Sequence, residues 1–472
     1  MATINCFFAF DFFLNNAEFR ISRSRSYFNA LAKTGAIEPE HRYKLINFCA
    51  YYMQKKITFD YLAKTFIIRD AQLKKNSAIT LKVVSLAIAL GTFQSNGDNV
   101  IRELKILLRQ YQNGALATAL TNNLDKYFNG FKFEIPEIKI KDRKKAISIK
   151  YSCPQPLCDF LIRELGETAA ENVMKCSLSP PEATFRLNPQ LLYSAETRAI
   201  FLREFAEKYD LEPQVIYEGF DLYSAGRSAF NFDLTETAEF RSGKITPMGR
   251  SAYLAAWLLA PKSGELVLDA CASPGNKTTH MAEISGCQAK IIAIDVSASK
   301  ISKIVDNADR LKLSNVFAMD ASAEYVSASA ITEKFKGAAE EKGREMFDRI
   351  LIDAPCSGLG LLRNRIDLKY RFSASDLTAI APIQHKILAN ISKMLKKGGT
   401  LLYATCTLNS LENAIQIDRF ISENPDFRSV SVSEALKELK FAAGGEARGN
   451  YLQMIPDEDG NEGFFYALLK KE

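Results

Sequence analysis

From Ile245 to the end of the chain, short apolar β-favouring runs alternate with longer amphipathic stretches, and this alternation narrows the possible folds most. The apolar runs are ELVLDA, KIIAIDV, NVFAMD, FDRILIDA, GTLLYAT and GFFYALLKK. Between them lie stretches such as ASKISKIVDNADRLKL and LTAIAPIQHKILANISKMLKK, whose apolar residues recur at helical spacing. Strands that are apolar along their whole length need cover on both faces. Helical connectors supply it, so the expected fold is α/β with a parallel, doubly wound, Rossmann-like sheet. Ligands of such sheets collect beyond the carboxyl ends of the strands.

The preceding chain has a different texture. Residues 1 to about 130 read as helical, with HRYKLINFCAYYMQKK, SAITLKVVSLAIALGTF and NVIRELKILLRQYQN carrying apolar residues three to four apart. FKFEIPEIKIKD and KAISIKYS then alternate as strands do. Beyond them comes a mixed region with a helix over Leu157 to Leu165 and a strand-like ATFRLN after Ser179-Pro180-Pro181. The expected division is an all-α domain over 1–135, a small α/β domain over 150–245 and the large α/β domain over 246–472.

No stretch approaches the roughly 20 apolar residues that span a bilayer, and no membrane partner is expected. The opening MATINCFFAFDFFLNN has no basic leader, is interrupted by Asp11 and is followed by no small-residue cleavage site, so it reads as mature chain. Nine cysteines without framework spacing suit a reducing cytoplasm, which is the expected location. Cys153 and Cys158 are closely spaced, but with three histidines and no second close pair no metal site is expected. The net charge of +6 is mild, yet it is concentrated. Arg20, Arg23 and Arg25 stand beside Tyr27 and Phe28, and Lys139, Lys141, Arg143, Lys144, Lys145 and Lys150 form a second basic stretch. Such patches suit a phosphate backbone, although each alone also reads as a solvated lysine-rich face.

The strand ends in the last third are acidic at Asp269, Asp295, Asp320 and Asp353. After the first comes Cys271-Ala272-Ser273-Pro274-Gly275-Asn276-Lys277, a tight turn opening a helix. No G-x-G-x-x-G is present, and Asp295 lies twenty residues beyond Gly275, the spacing at which a carboxylate on the second strand meets ribose hydroxyls. Asp320 can then reach an adenine edge. A nucleoside without a pyrophosphate needs these groups and no phosphate cradle, as S-adenosylmethionine would. A single acid at a strand end is as readily a helix cap; four in register favour a site.

The Asp353 strand end and the one after it carry thiols. FDRILIDAPCSGLG supplies Asp353 and Cys356, and YATCT supplies Cys406. Neighbouring parallel strands lie about 4.8 Å apart, so both sulfurs can face one cleft. A buried cysteine is usually an inert small hydrophobe, but a thiolate solves a particular problem. Carbon 5 of cytosine is too electron-poor to attack a methyl sulfonium until a nucleophile adds at carbon 6 and makes the ring an enamine. Cys406, expected just ahead of a helix N-terminus, would gain thiolate character there. A carboxyl group at Asp353 could stabilise charge developing on the base.

D-A-C-A-S-P-G-N-K-T, I-D-A-P-C-S-G-L-G, Y-A-T-C-T and N-E-G-F-F-Y-A-L-L-K closely resemble, in order and spacing, the NOL1/NOP2/Sun family of RNA cytosine-5 methyltransferases. The resemblance covers Ile245 to the end. YSCPQPLCDFLIRELG and SPPEATFRLN look like the family's small RNA-binding domain, and the helical N-terminus looks like the NusB-like extension of its bacterial 16S ribosomal RNA members. It implies a class I methyltransferase domain using S-adenosylmethionine, held by Cys271, Ala272, Ser273, Pro274, Gly275, Asn276, Lys277, Asp295, Asp320 and Asp353. It implies Cys406 as nucleophile, Cys356 as the group that helps release product, and 16S ribosomal RNA, free or in an early assembly intermediate, as the partner of a monomer. Asn276 replaces a usual glycine, which left-handed backbone at Asn tolerates; Ile366 and Ser410 replace common prolines.

Other readings stay open on the residues alone. Transfer RNA is the main rival substrate for the same chemistry. A non-catalytic RNA-binding assembly factor would use the basic stretches equally well, and a nicotinamide-dependent dehydrogenase is disfavoured by the missing glycines.

Overall fold

The computed structural model describes residues 6–15, 21–38, 41–68, 77–94, 106, 114–131, 134–137, 139–229, 232–335, 347–439 and 446–472. They fall into two compact units. The first comprises Met1–Pro181, Phe230–Phe232 and Leu362–Phe372; the second comprises Glu182–Ala229, Asp233–Leu361 and Ser373–Glu472.

The first unit is helical. Cys6–Asn15, Ile21–Lys33, His41–Gln54, Lys56–Leu62, Ser77–Gln94 and Gly114–Phe131 surround a core that includes Phe10, Phe12, Phe28, Phe48, Phe59 and Phe128. Gly91 is required there because a Cβ would run into the Phe128 ring. The helices expected around HRYKLINFCAYYMQKK and SAITLKVVSLAIALGTF form; NVIRELKILLRQYQN, apart from Ile106, and Arg20 lie outside the described residues.

The alternation read as β over 131–150 does not make a sheet. Arg143–Lys150 is a helix, started by Asp142, whose side chain accepts from the Lys145 backbone N–H at 3.2 Å. The described residues between it and Phe131 contain no strand. Pro136 lacks a ladder donor, and a run of eight residues with Ile147, Ser148 and Ile149 all buried is ambiguous in period until its cap is considered. Helices Gln155–Leu165 and Glu167–Cys176 follow. Cys158 donates its S–H to the Cys153 carbonyl at 3.4 Å, a local turn contact between two buried thiols. Leu362–Phe372 belongs to this unit in full: Ile366 joins its aromatic core, Lys369 donates to the Gln54 carbonyl at 3.1 Å, and Phe372 packs on Phe160 at 5.1 Å between ring centres.

The second unit holds both sheets. Strands β1 (Glu182–Leu187), β2 (Gln214–Val215), β3 (Leu222–Ser228) and β4 (Ile245–Pro247) form an antiparallel sheet in the order β2-β3-β1-β4. Strands β5 (Leu266–Asp269), β6 (Lys290–Asp295), β7 (Val316–Asp320), β8 (Phe347–Asp353), β9 (Leu395–Thr405), β10 (Phe427–Val430), β11 (Glu446–Arg448), β12 (Tyr451–Met454) and β13 (Phe464–Lys471) form the large one. Its order is β11-β12-β13-β9-β8-β5-β6-β7, with β10 on β13. β9, β8, β5, β6 and β7 are mutually parallel, as the apolar runs predict. GFFYALLKK is a strand but runs antiparallel to β9, and β10, β11 and β12 extend that antiparallel edge. Apolarity reports burial on both faces and is blind to strand direction. β5 sits between β6 and β8, so the turn after it opens where the winding order reverses, the usual ligand position.

The small sheet is anchored to that turn's helix, Asn276–Ile284. Arg186 on β1 is fully buried and donates to Glu283 at 2.8 Å and to Thr279 Oγ1 at 3.0 Å. Burial pushes the Glu283 carboxyl up, partly offset by Arg186. Among the described residues no helix is long and apolar enough to cross a membrane, and no cluster of His, Cys, Asp and Glu is disposed to hold a metal ion.

Candidate active site

At the C-terminal end of β5, Asp269 is buried and accepts from Thr278 Oγ1 at 2.7 Å. Burial raises its carboxyl to about 7, with the Thr278 bond working against the rise. The turn that follows folds back on itself, with the Gly275 N–H donating to the Ala272 carbonyl at 2.7 Å. Gly275 takes φ +99°, and a Cβ there would lie 3.2 Å from the Ile304 Cα. Asn276 therefore does not carry the left-handed backbone expected of it. It sits in the first turn of the helix, and its side-chain amide donates to the Pro247 carbonyl at 3.1 Å.

Asp295 closes on this turn. Its Oδ2 accepts from the Ser273 N–H at 3.0 Å, and its Oδ1 from the Val296 N–H at 2.7 Å and Lys300 at 2.8 Å. Asp320 is its register partner on β7 and is exposed. Cys271 and Ala272 leave β5 toward the same edge, burial pushing the Cys271 thiol well up, while Pro274 is exposed. Cys271 to Lys277, Asp295 and Asp320 thus share one end of the sheet.

The thiol side is built on the β8–β9 pair. Asp353 is opposite Ala404, and the ladder continues through the Ala354 N–H to the Ala404 carbonyl at 2.9 Å. Beyond that rung the Cys356 and Cys406 sulfurs lie 3.1 Å apart, both partly accessible. Contact with Cys406, then burial, pushes the Cys356 thiol well up, so Cys356 keeps its proton. The positive charge near Cys406 is not the helix terminus expected from sequence: the next helix, Ala414–Glu423, begins only after a polar loop. It is Lys277, which sits 2.6 Å from Asp353 Oδ2. Burial lowers the lysine's proton affinity, but Asp353 and Cys406 outweigh that and raise it overall. Lys277, in the first turn of the helix after β5, and Asp353, at the end of β8, thus link the β5 turn to the thiol pair.

Several supporting residues escape sequence reasoning. The Gly360 N–H donates to the Cys406 carbonyl at 2.9 Å, the Gly463 N–H donates to the Gly360 carbonyl at 3.0 Å, and a Cβ on Gly360 would overlap the Gly463 carbonyl. Glu462 accepts from the Ser251 N–H at 3.0 Å, fixing the first turn of helix Arg250–Leu259. Asn413 braces both neighbours of Cys406, accepting from Thr405 Oγ1 at 2.6 Å and donating to the Thr407 carbonyl at 3.1 Å. The only hint in sequence is the polar LNSLENAIQ directly after the apolar β9 run.

Residues 256–470 match the model of the 16S rRNA methyltransferase RsmB/F family. That stretch is similar to the methyltransferase domain of the RsmB/F family. Over 459 residues the chain is 29% identical to the probable ribosomal RNA small subunit methyltransferase B of Bacillus subtilis, covering 96% of both chains. With ribosomal RNA small subunit methyltransferase B of Pasteurella multocida it shares 37% identity over 238 residues, about half of each chain (50% and 49%). Among solved structures, that of PH0851 superposes with a TM-score of 0.74 at 22% identity, covering 99% of this chain and 98% of that one, a likeness of fold. The large sheet of the second unit is Rossmann-like, and the helical first unit is consistent with a NusB-like domain.

Proposed function

We propose that the protein uses S-adenosylmethionine to form 5-methylcytosine in RNA, most specifically 16S ribosomal RNA, through a covalent adduct between Cys406 and carbon 6 of the base. The observation that carries this reading is the Cys356–Cys406 sulfur pair, 3.1 Å apart, beside the Lys277–Asp353 ion pair. The names of the relatives support ribosomal RNA of the small subunit as the substrate. We further read the chain as a NusB-like domain over 1–135, a small RNA-binding domain over 150–245 and the methyltransferase domain over 246–472.

The residues fit a nucleoside cofactor. Cys271 to Lys277 would border it, Asp295 and Asp320 would receive its ribose and adenine, and Asp353 would stand on the side toward the thiols. S-adenosylmethionine, when bound, supplies an electrophilic methyl group. The chain's own residues prepare the acceptor. Lys277 places a positive charge near Cys406, whose addition to carbon 6 as thiolate makes carbon 5 nucleophilic. Asp353 is available to hydrogen-bond the base edge. Once carbon 5 carries its methyl group, solvent water takes the carbon 5 proton. The electron pair of that bond restores the carbon 5–carbon 6 double bond, and the Cys406–carbon 6 bond breaks with Cys406 leaving as its thiolate. Cys356, which holds its proton beside that sulfur, assists the release. The base must leave its stack to be reached, which favours a loop or an early assembly intermediate.

Incubation with labelled S-adenosylmethionine and unmodified small-subunit RNA, followed by bisulfite mapping, tests the reading. Label in 5-methylcytosine is expected. A folded protein that incorporates none overturns it, and label confined to transfer RNA would move the substrate there.

A further inference from the structure

We infer that Glu412 is the positioning residue that sets the spacing of the two thiols. This inference rests on the reading of Cys356 and Cys406 as a working pair. Glu412 is fully buried, and among the described residues it forms no salt bridge. A carboxylate in that setting is retained only if its lone pairs are met by donors. They are met from three separate segments. Oε2 accepts from the Ser357 N–H at 2.9 Å and from the Gln384 side-chain amide at 2.9 Å. Oε1 accepts from Ser357 Oγ at 2.5 Å and from the Asn409 side-chain amide at 3.1 Å.

The partners decide what the carboxylate does. Ser357 is the residue after Cys356, and Asn409 lies in the loop that carries Cys406. Gln384 also donates to the carbonyl of Pro355, the residue before Cys356, at 2.8 Å. A second link runs alongside: Ser357 Oγ lies 2.7 Å from Thr407 Oγ1. Because the Ser357 hydroxyl proton is committed to Glu412, Thr407 is the donor in that contact. Each cysteine therefore has an immediate neighbour in one hydrogen-bonded chain, Thr407 to Ser357 to Glu412. The Glu412 carbonyl is itself held by the Tyr403 hydroxyl at 2.8 Å, back on β9. The network acts through the residues beside the two cysteines; its output is where the sulfurs sit.

Glu412→Gln tests this, because the amide turns an acceptor into a donor facing Ser357 or Gln384 and leaves one of them unpaired. The first readout needs no RNA. Diamide oxidises two close thiols to a disulfide while its nitrogen–nitrogen double bond takes up the two hydrogens, and the Cys356–Cys406 crosslinked peptide is followed by mass spectrometry. Closure is expected to slow about tenfold or more in the variant. In turnover, kcat should fall about 100-fold with KM for RNA changed less than about threefold, since misplacement near the reacting atoms reaches that scale. Glu412→Asp, which keeps the acceptor, should recover part of both. Ser357→Ala should act in the same direction with a smaller effect, and the double variant should match Glu412→Gln rather than the product of the two. Crosslinking at the wild-type rate, or an unchanged kcat, overturns the inference; if Glu412→Gln does not fold, the same readouts on Ser357→Ala decide. A wild-type protein that crosslinks but never methylates cytosine would defeat the proposed function, while the crosslinking comparison would still judge Glu412.

Discussion

The Lys277 ammonium sits 2.6 Å from Asp353 Oδ2, and the Cys406 sulfur adds to the pull that keeps that lysine protonated. One cation therefore serves a carboxylate at the end of β8 and a thiol just past the end of β9. Replacing it leaves a partly buried carboxylate unpaired and removes the positive charge beside Cys406. Lys277→Met is expected to slow adduct formation between Cys406 and cytosine-containing RNA by about 100-fold. Because the lysine's pKa is raised above its ordinary 10.5, the wild-type rate should show no alkaline decline from this group below that pH. A stopped-time adduct assay across alkaline pH checks both statements.

The two thiols should part company when removed singly. Cys356→Ala is expected to accumulate a covalent protein–RNA adduct, visible as a denaturation-resistant gel shift, because addition proceeds and release is impaired. Cys406→Ala should form none. An adduct in the Cys406 variant would reverse the roles of the two sulfurs.

Asp295 already receives two backbone N–H groups and Lys300. Loss of the carboxylate should unfasten the turn at Ser273 as well as remove a ribose partner, so Asp295→Ala should weaken S-adenosylhomocysteine binding by about tenfold or more in calorimetry. The Lys300 side chain is 47% exposed and holds an exposed ion pair of small worth. Lys300→Ala should change the same affinity by less than about threefold.

Lys369 offers a stability test in the first unit. Burial lowers it from its ordinary 10.5 to about 8, so between those values the unfolded chain binds the proton and the native protein does not. Stability from this group therefore rises as pH climbs from about 8 to 10.5, by about 3 kcal/mol at most, and is flat below that window. Lys369→Met should abolish the rise in urea titrations run across the window.

Much of this was legible in the residues. Apolar strands located the parallel sheet, and the acids and thiols at their ends were expected, as found, to gather at one end of it, with the two sulfurs 3.1 Å apart. What was not legible depends on contacts distant in sequence. The direction of β13 follows from how the chain returns to β9, which no local period records. The alternation over Arg143–Lys150 misled because the Asp142 cap outweighs a weak pattern in so short a run. The cation beside Cys406 comes from the turn after β5, far upstream, so local reasoning assigned its effect to the following helix instead. Glu412 was unremarkable as a letter in LNSLENAIQ until its donors converged on it.

The segment Leu362–Phe372 carries one more lesson, about synthesis and inheritance. The core of the first unit is finished by Ile366, a residue made long after the helices it joins and shortly after Cys356. An emerging chain cannot complete its N-terminal unit until Cys356 has already left the ribosome, so the usual order of one domain folding before the next does not hold here. A truncation starting at Glu182 would carry Ile366 and Lys369 stripped of their cover, and recombination at that boundary would damage both products.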